Sequence, residues 1–219
     1  MKINHICLMP GHSVKDGGAV VCGGPGAGLS EHALASRYLP EITRQLVAKG
    51  YTVSTTSRET AGGTTPSYSG KAALATGAQL VFEFHFNSAG ATASGAEALY
   101  WHASSTGHRV AEIMAAACAD VLGIRNRGAK PRFDSAVTAA AYGYDASAAR
   151  GAGLFTTCWN APQYCVPVMV ECAFAGSNEK DAVALLRAVA NGELATAMAD
   201  AIDRCAKEVE TLNPARVAQ

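Results

Sequence analysis

Residues 78–86 read AQLVFEFHF and carry the strongest strand signal in the sequence. A short run rich in apolar and aromatic residues is typical of a strand buried inside a sheet. Shorter runs of apolar or β-branched residues recur on both sides of it. The sequence therefore predicts five further strands, at residues 3–9, 51–56, 96–101, 154–157 and 166–171.

Segments with helical periodicity alternate with these strands. In the first of them, residues 29–49, Pro40 predicts a kink or two shorter helices because proline removes a backbone donor. Residues 130–153 show no clean period and are predicted to be partly irregular. The other predicted helices are 70–77, 107–123 and 178–209. The first of these follows a loop at 60–69, and the last is broken near Asn191 and Gly192.

The alternation of strands and helices decides the fold class. It predicts an α/β fold of three layers, in which a twisted, mostly parallel β-sheet is flanked by helices on both faces. The chain has 219 residues and shows no internal repeat or linker between domains. We therefore expect one catalytic domain over residues 1–219.

Composition and charge exclude several classes of protein. Lys plus Arg equals Asp plus Glu at 18 each, so the chain lacks the excess positive charge that draws proteins to nucleic acid. No apolar run approaches the roughly 18 residues of a membrane span. The apolar run near the amino terminus is too short for a secretory signal. The expected protein is made in the cytoplasm without a signal peptide, and neither binds nucleic acid nor inserts stably into a membrane.

Four polar residues stand where ligands gather in an α/β fold, beyond the carboxyl ends of strands or at the start of a helix. His12 follows the first strand, His85 is near the end of AQLVFEFHF, Glu171 ends VPVMVE, and Glu31 begins a helix. Two histidines and one glutamate form the ligand set of an open catalytic zinc site. A second glutamate, Glu171, can then act as the general base. Spacing alone leaves simpler roles open. The histidines can be hydrogen-bonded without a metal, and Glu31 can be an ordinary glutamate of the first helical turn, where the helix dipole favours a negative charge.

Longer motifs occur in a family-specific order along the chain. They are PGHSVKDGGA, LSEHAL, FEFHFNS, GAEALYW, NRGAKP and VPVMVECAFAGSNEKDAVAL. In this order they resemble the zinc-dependent N-acetylmuramoyl-L-alanine amidases of the amidase-3 type, which occur in bacterial cell-wall hydrolases and phage endolysins. The resemblance extends from residue 6 to about residue 186.

The resemblance implies a chemistry for the same four residues. It makes His12, Glu31 and His85 the ligands of Zn²⁺ and Glu171 the catalytic glutamate. The implied substrate is peptidoglycan, and the implied reaction cleaves the amide between the lactyl group of N-acetylmuramic acid and the L-alanine of the stem peptide. Zinc would polarise the carbonyl, and Glu171 would carry the proton to the leaving amine.

The sequence departs from the family pattern at several positions. Met9 stands where aspartate is common and Ser13 where glycine is usual, while Lys71 and Thr76 replace the familiar arginine and asparagine. These changes remove no ligand. Glu83 replaces a small hydroxyl residue two positions before His85, on the same side of the strand. It is predicted either to orient a ligand through a hydrogen bond or to reach solvent near the sheet edge.

The sequence bears on three functions other than the amidase. A nucleotide-binding protein would use the loop CGGPGAGLSE for phosphate, but the loop lacks the Lys-Ser/Thr of a P-loop and the Rossmann glycine spacing. A non-catalytic peptidoglycan- or zinc-binding protein on the same fold would be expected to lack a ligand or the base. A zinc hydrolase that cuts another stem-peptide bond stays open. The substrate pocket of the zinc hydrolase is expected to include part of segment 130–153, where Arg132, Tyr142, Tyr144 and Arg150 are candidate substrate contacts.

The implied substrate lies outside the membrane, whereas no signal peptide is expected. A phage or prophage endolysin reconciles the two, because it accumulates in the cytoplasm and acts on the cell wall after release. An injected toxin would look similar. The sequence indicates neither the oligomeric state nor a need for a partner.

Overall fold

The computed structural model describes residues 2–161 and 165–212, and in these residues six strands form one sheet. The predicted domain 1–219 thus includes residue 1, residues 162–164 and residues 213–219, which lie outside the described residues. The strands are β1 (His5–Pro10), β2 (Thr52–Thr55), β3 (Leu80–His85), β4 (Ala96–Trp101), β5 (Asn126–Arg132) and β6 (Val166–Glu171).

The order across the sheet is β2-β1-β3-β6-β4-β5. Strands β2, β1, β3 and β6 are parallel, whereas β4 pairs with β6 in the antiparallel sense and β5 is parallel to β4. The prediction of a mostly parallel sheet is confirmed. Because β1, β3 and β6 are parallel, their carboxyl ends meet at one edge of the sheet.

Helices cover both faces of this sheet. They are α1 (Glu31–Ala48), α2 (Pro66–Thr76), α3 (Ser105–Leu122), α4 (Ala136–Ala141), α5 (Gly153–Trp159), α6 (Glu179–Ala190) and α7 (Glu193–Leu212). Helices α1, α3, α6 and α7 share the larger hydrophobic core with one face of the sheet, and α2 and α5 share a smaller core with the other face. The predicted three-layer α/β fold is therefore confirmed.

Alternation along β3 assigns side chains to the two faces. Phe82 and Phe84 belong to the larger core under α1 and α3, and Val81 belongs to the smaller core under α2 and α5. Since side chains alternate along a strand, Glu83 and His85 point to the same face as Val81. Polar groups of the site are thus placed on the face that α2 and α5 cover.

The structure corrects four of the predicted elements. The predicted strand 154–157 lies in α5, since a run of only four residues, LFTT, fits a helix as well as a strand. Pro40 lies inside the single helix α1, so the alternative of two shorter helices is wrong. Helix α2 begins at Pro66, inside the predicted loop 60–69, because proline is favoured in the first turn. Strand β5 lies partly in the segment predicted to be irregular, and its Pro131 is tolerated because β5 is an edge strand.

The carboxyl-terminal helices also bear on the expectation of no membrane insertion. No single helix in residues 2–161 and 165–212 has both the length and the apolar character needed to cross a bilayer. Helices α6 and α7 meet the same criteria when they are taken together, but they are bent by 83° at the break between them.

Candidate metal and catalytic site

The four residues singled out in the sequence lie at the same edge of the sheet. His12 follows β1, His85 ends β3 and Glu171 ends β6, and the last two are direct neighbours in the strand register. Glu31 is the first residue of α1, where Ser30 accepts a hydrogen bond from the amide of Ala33 and so caps the helix. Parallel strands and a capped helix thus bring residues that are 19 to 159 positions apart in the sequence to one edge.

Three of these residues form a compact group. His12 Nε2 is 3.4 Å from Glu31 Oε1, and His85 Nδ1 is 3.0 Å from Glu31 Oε2. The two imidazole rings meet edge to face, with centroids 4.9 Å apart. One ligand atom from each residue lies within 4.8 Å of the others, so the group can hold a metal ion.

Electrostatics favour ionised Glu31. Its carboxylate is almost fully buried and accepts hydrogen bonds from the amides of Ala19 and Phe86. Burial alone would raise the pKa of Glu31, but His12 and His85 outweigh it and lower the pKa to about 2. Burial alone would lower the pKa of His85, and the Glu31 and Glu83 carboxylates raise it to about 10. A bound cation would replace the proton that these carboxylates attract.

The chemistry of the donor set tests whether the residues fit a metal. Two imidazoles and one ionised carboxylate form the ligand set of an open zinc site. Beside His85, Glu171 Oε2 is buried without a hydrogen-bond partner. Buried polar groups are rarely left unsatisfied unless an ion, water or function accounts for them. The residues therefore fit a divalent cation such as zinc.

The backbone around His12 is unusual. His12 has φ of 56°, in the left-handed region, and no other non-glycine residue in the described part of the chain has a positive φ. The turn is held by Ser13, whose amide donates to the Asp16 carbonyl and whose Oγ accepts from the Asp16 amide. Ser13, a departure from the family pattern, therefore closes the turn that presents His12.

Gly18 leaves room for the side chains of His12 and Glu31 to lie close to each other. A Cβ at Gly18 would lie 2.5 Å from the His12 ring and 2.7 Å from Glu31 Oε1. We expect Gly18→Ala to weaken zinc binding by at least about 10-fold, because it displaces two ligands. The control is Gly192→Ala, whose φ of 73° is close to the 79° of Gly18 but whose Cβ would meet no neighbouring atom. Both variants should lose about 1–2 kcal/mol of stability from backbone strain. Equal zinc dissociation constants for the two variants would contradict this role.

Glu171 has the electrostatics of a general base. Burial raises the pKa of its carboxyl to about 7, although the charge of His85 acts in the opposite direction. A proton acceptor works best when its pKa is close to the working pH. Glu171 is therefore suited to exchange a proton near neutral pH.

A cleft of about 630 Å³ opens over this group. His12, His85 and Glu171 line it, as do Arg132 and Arg150 from the segment predicted to contact substrate. Tyr142 and Tyr144 are not among the lining residues and instead stack around Phe133. Sequence reasoning did not single out these further lining residues: Asp16, Arg58, Thr64, Thr65, Glu97 and Ser147.

Glu97 and Arg58 illustrate what the sequence did not reveal. Glu97 lies opposite Glu171 in the antiparallel β4–β6 pair and is held by Arg127 at 2.7 Å and Asn87 at 3.0 Å. In the sequence, Glu97 is marked only by its place in the GAEALYW motif. Arg58 lies in a short 3-10 helix with no sequence feature that marks it.

Comparisons with known proteins agree with the fold. The family model described as N-acetylmuramoyl-L-alanine amidase matches residues 6–204. No curated protein matches the sequence. Among solved structures, Cwp6 from Clostridium difficile has a TM-score of 0.65 at 19% identity over 92% of this chain, which spans only 29% of the Cwp6 chain.

Two further solved structures match over nearly their whole length. The catalytic domain of the CD27L endolysin targeting Clostridia difficile has a TM-score of 0.65, and that of CwlV from Bacillus (Paenibacillus) polymyxa var. colistinus has 0.64. Each is 19% identical, with 92% of this chain and 97% of the other chain covered. At such identities the structural likeness shows the fold, whereas the family model spans most of the sequence. The chain belongs to the N-acetylmuramoyl-L-alanine amidase family, as the order of its motifs implied.

Proposed function

We propose that the protein is a zinc-dependent peptidoglycan hydrolase that cleaves the amide between N-acetylmuramic acid and the L-alanine of the stem peptide. In this proposal His12, Glu31 and His85 hold Zn²⁺ and Glu171 is the catalytic residue. The observation that carries it is the geometry: three candidate ligand atoms lie within 4.8 Å of one another, at one cleft with the half-buried carboxyl group of Glu171. Membership of the amidase family supports the bond that is cleaved.

The chemistry divides between the metal and the protein. Zinc bound by such a ligand set polarises a carbonyl group and acidifies water. Glu171 removes a proton from the water that attacks the lactyl carbonyl carbon. It then delivers that proton to the alanine nitrogen as the C–N bond breaks, so that the products are a lactyl carboxylic acid and a free amine, which exchange a proton to become carboxylate and ammonium at neutral pH.

Arg132 and Arg150 are suited to hold the stem peptide. Both line the cleft, and Arg132 Nε is buried without a hydrogen-bond partner. Burial lowers the pKa of the Arg132 guanidinium, although Glu171 and Glu97 act against that effect. Guanidinium groups bind carboxylates through paired hydrogen bonds. We therefore propose that Arg132 contacts a carboxylate of the stem peptide.

Arg132→Met tests this contact. We expect kcat/KM to fall about 10- to 100-fold, corresponding to the roughly 1.5–3 kcal/mol of a charge-assisted hydrogen bond, and mainly through a higher KM. Arg204→Met, at an exposed position of α7, is the control. An unchanged KM for Arg132→Met would remove Arg132 from substrate binding.

The activity itself is tested on purified peptidoglycan. We expect the protein to contain one zinc ion per chain and to release stem peptides. The number of new amino groups should increase in proportion to the stem peptides released. A protein that binds zinc but releases nothing is a non-catalytic binder. Peptide release without new L-alanine amino termini indicates a hydrolase of another stem-peptide bond.

The biological setting is a further part of the proposal. We propose a phage or prophage endolysin that acts on the bacterial cell wall after release, and the fold it shares with the catalytic domain of an endolysin is compatible with this. Neighbouring genes discriminate the alternatives. A holin or tail genes support the endolysin, whereas an immunity gene indicates an injected toxin.

A further inference from the structure

Glu83 lies behind the metal-ligand group, two residues before His85 on β3. Its side chain is completely buried, so it does not reach solvent at the sheet edge, which was one of the two roles predicted for it. Its neighbours in the strand register are Met9 on β1 and Met169 on β6, both buried. A carboxylate in such apolar surroundings requires specific partners.

The two carboxylate oxygens of Glu83 have different environments. Oε1 accepts hydrogen bonds from Arg58 Nε at 3.2 Å, from Arg58 Nη2 at 3.0 Å and from Ser69 Oγ at 2.7 Å. Arg58, itself 3% exposed, is fixed further by a hydrogen bond from Nη1 to the Thr64 carbonyl. Three donors thus hold the carboxylate in one orientation.

Oε2 faces the imidazole of His85. It lies 3.6 Å from His85 Nε2, and neither of these two buried atoms has a hydrogen-bond partner. The other ring nitrogen, Nδ1, points to the opposite side and lies 3.0 Å from Glu31 Oε2. The ring therefore has one nitrogen on the ligand side and one on the Glu83 side.

We propose that Glu83, held by Arg58 and Ser69, is a positioning residue that directs His85 toward the metal. This inference rests on the proposed metal site. With a cation bound, Glu83 Oε2 would accept a hydrogen bond from His85 Nε2 after the two atoms close the 3.6 Å that separates them here. The lone pair of Nδ1 is then free for the cation, and the ring plane is fixed. A carboxylate behind a ligating imidazole has this effect in metal sites and also makes the ligand more basic.

Stability alone does not account for the buried ion pair. Two buried charges lose hydration, and replacing such a pair by apolar residues of similar size is often neutral or stabilising. Removing only one partner is costly, because the other charge is left unpaired. The arrangement around Glu83 is therefore better explained by the imidazole that it faces than by a contribution to folding.

The test compares Glu83→Gln with the double variant Arg58→Met/Glu83→Met. Zinc dissociation constants are measured by competition with a chromogenic chelator, and the free energy of unfolding is measured without zinc. We expect Glu83→Gln to raise the zinc dissociation constant about 10- to 100-fold. Without zinc, the double variant should be as stable as the unmodified protein. Its affinity for zinc should stay below that of the unmodified protein. Recovery of both would show a purely structural role and overturn the inference.

A spectroscopic measurement gives an independent readout. In the zinc-loaded protein, the His85 Nε2 proton should resonate downfield and exchange slowly with water, since it bonds to a carboxylate in a dry environment. In Glu83→Gln it should move upfield and exchange faster. An unchanged resonance together with unchanged zinc affinity would contradict the role of Glu83. If the unmodified protein binds no zinc, the proposed metal site fails instead, so the two failures are distinguishable.

Discussion

Glu171→Gln should lower kcat by about 10²–10⁴-fold, the range that positioned acid–base catalysis contributes. The amide has nearly the size of the carboxyl group but cannot take a proton from water or return it to the leaving amine. Glu171 is not among the three proposed metal ligands, so zinc content should be unchanged. Glu171→Ala should show the same loss, and Glu112→Gln, on the exposed side of α3, serves as the control.

The pH dependence follows from the same residue. A general base must be ionised, so kcat/KM should rise as the pH increases through the pKa of Glu171, about 7 in the protein without metal. The positive charge of zinc would move this rise to lower pH. The residual activity of Glu171→Gln should lack the rise. Full activity in Glu171→Gln, or the same pH profile as the unmodified protein, would show that Glu171 is not the base.

The stability of the zinc-free protein has the opposite dependence on pH. The folded-state pKa of Glu171, about 7, is above its ordinary value of 4.5, so folding favours the protonated form. Raising the pH from 4.5 to 7 therefore removes stability, because the buried carboxyl must ionise. Glu171→Gln should cancel this loss, which thermal unfolding at pH 4.5 and pH 6.5 measures, below the range in which the raised pKa of His85 adds its own loss.

Removal of zinc should abolish activity and leave the fold intact. The proposed ligands are all that holds the cation, whereas the two hydrophobic cores lie on either side of the sheet and do not depend on it. At a free zinc concentration 100 times the dissociation constant, binding adds about 2.7 kcal/mol to stability. The chelated protein should therefore unfold at a lower temperature but keep its circular dichroism spectrum at 25 °C.

Ligand variants sharpen this prediction. His12→Ala and His85→Ala should remain folded, fail to retain zinc through gel filtration, and show no activity when zinc is restored. The unmodified protein should regain activity under the same treatment. Activity that survives chelation in the unmodified protein would contradict a role for the metal, and loss of the folded spectrum would show that the metal has a structural role.

The sequence revealed most of the architecture because its signals are local. The apolar run of β3 and the helical periods of α1 and α3 predicted these elements, and polar residues after β1, β3 and β6 identified the edge where the site lies. The strand predicted at 154–157 is the helix α5 because its apolar side chains fill the space against α2, a tertiary effect. Strand β5, with Gly128 and Pro131, has weak strand propensity and forms by pairing with β4.

The supporting residues of the site could not be predicted in the same way. Arg58 contacts Glu83, which is 25 positions away in the sequence, and only the folded structure brings the two side chains together. The left-handed backbone of His12 follows from the turn that Ser13 closes. Such contacts depend on the whole fold, so they cannot be predicted from the spacing of residues in the sequence.

The bond that is cleaved is the central claim, and it is tested most directly by mass spectrometry of a purified muropeptide digested in ¹⁸O-labelled water. We predict two products, a stem peptide with a free L-alanine amino terminus and a muramyl sugar with one ¹⁸O atom in its lactyl carboxylate. The zinc-free protein and Glu171→Gln should give neither. An ¹⁸O atom in a carboxylate of the stem peptide, or an intact muropeptide with the zinc-loaded protein, would contradict the amidase proposed here.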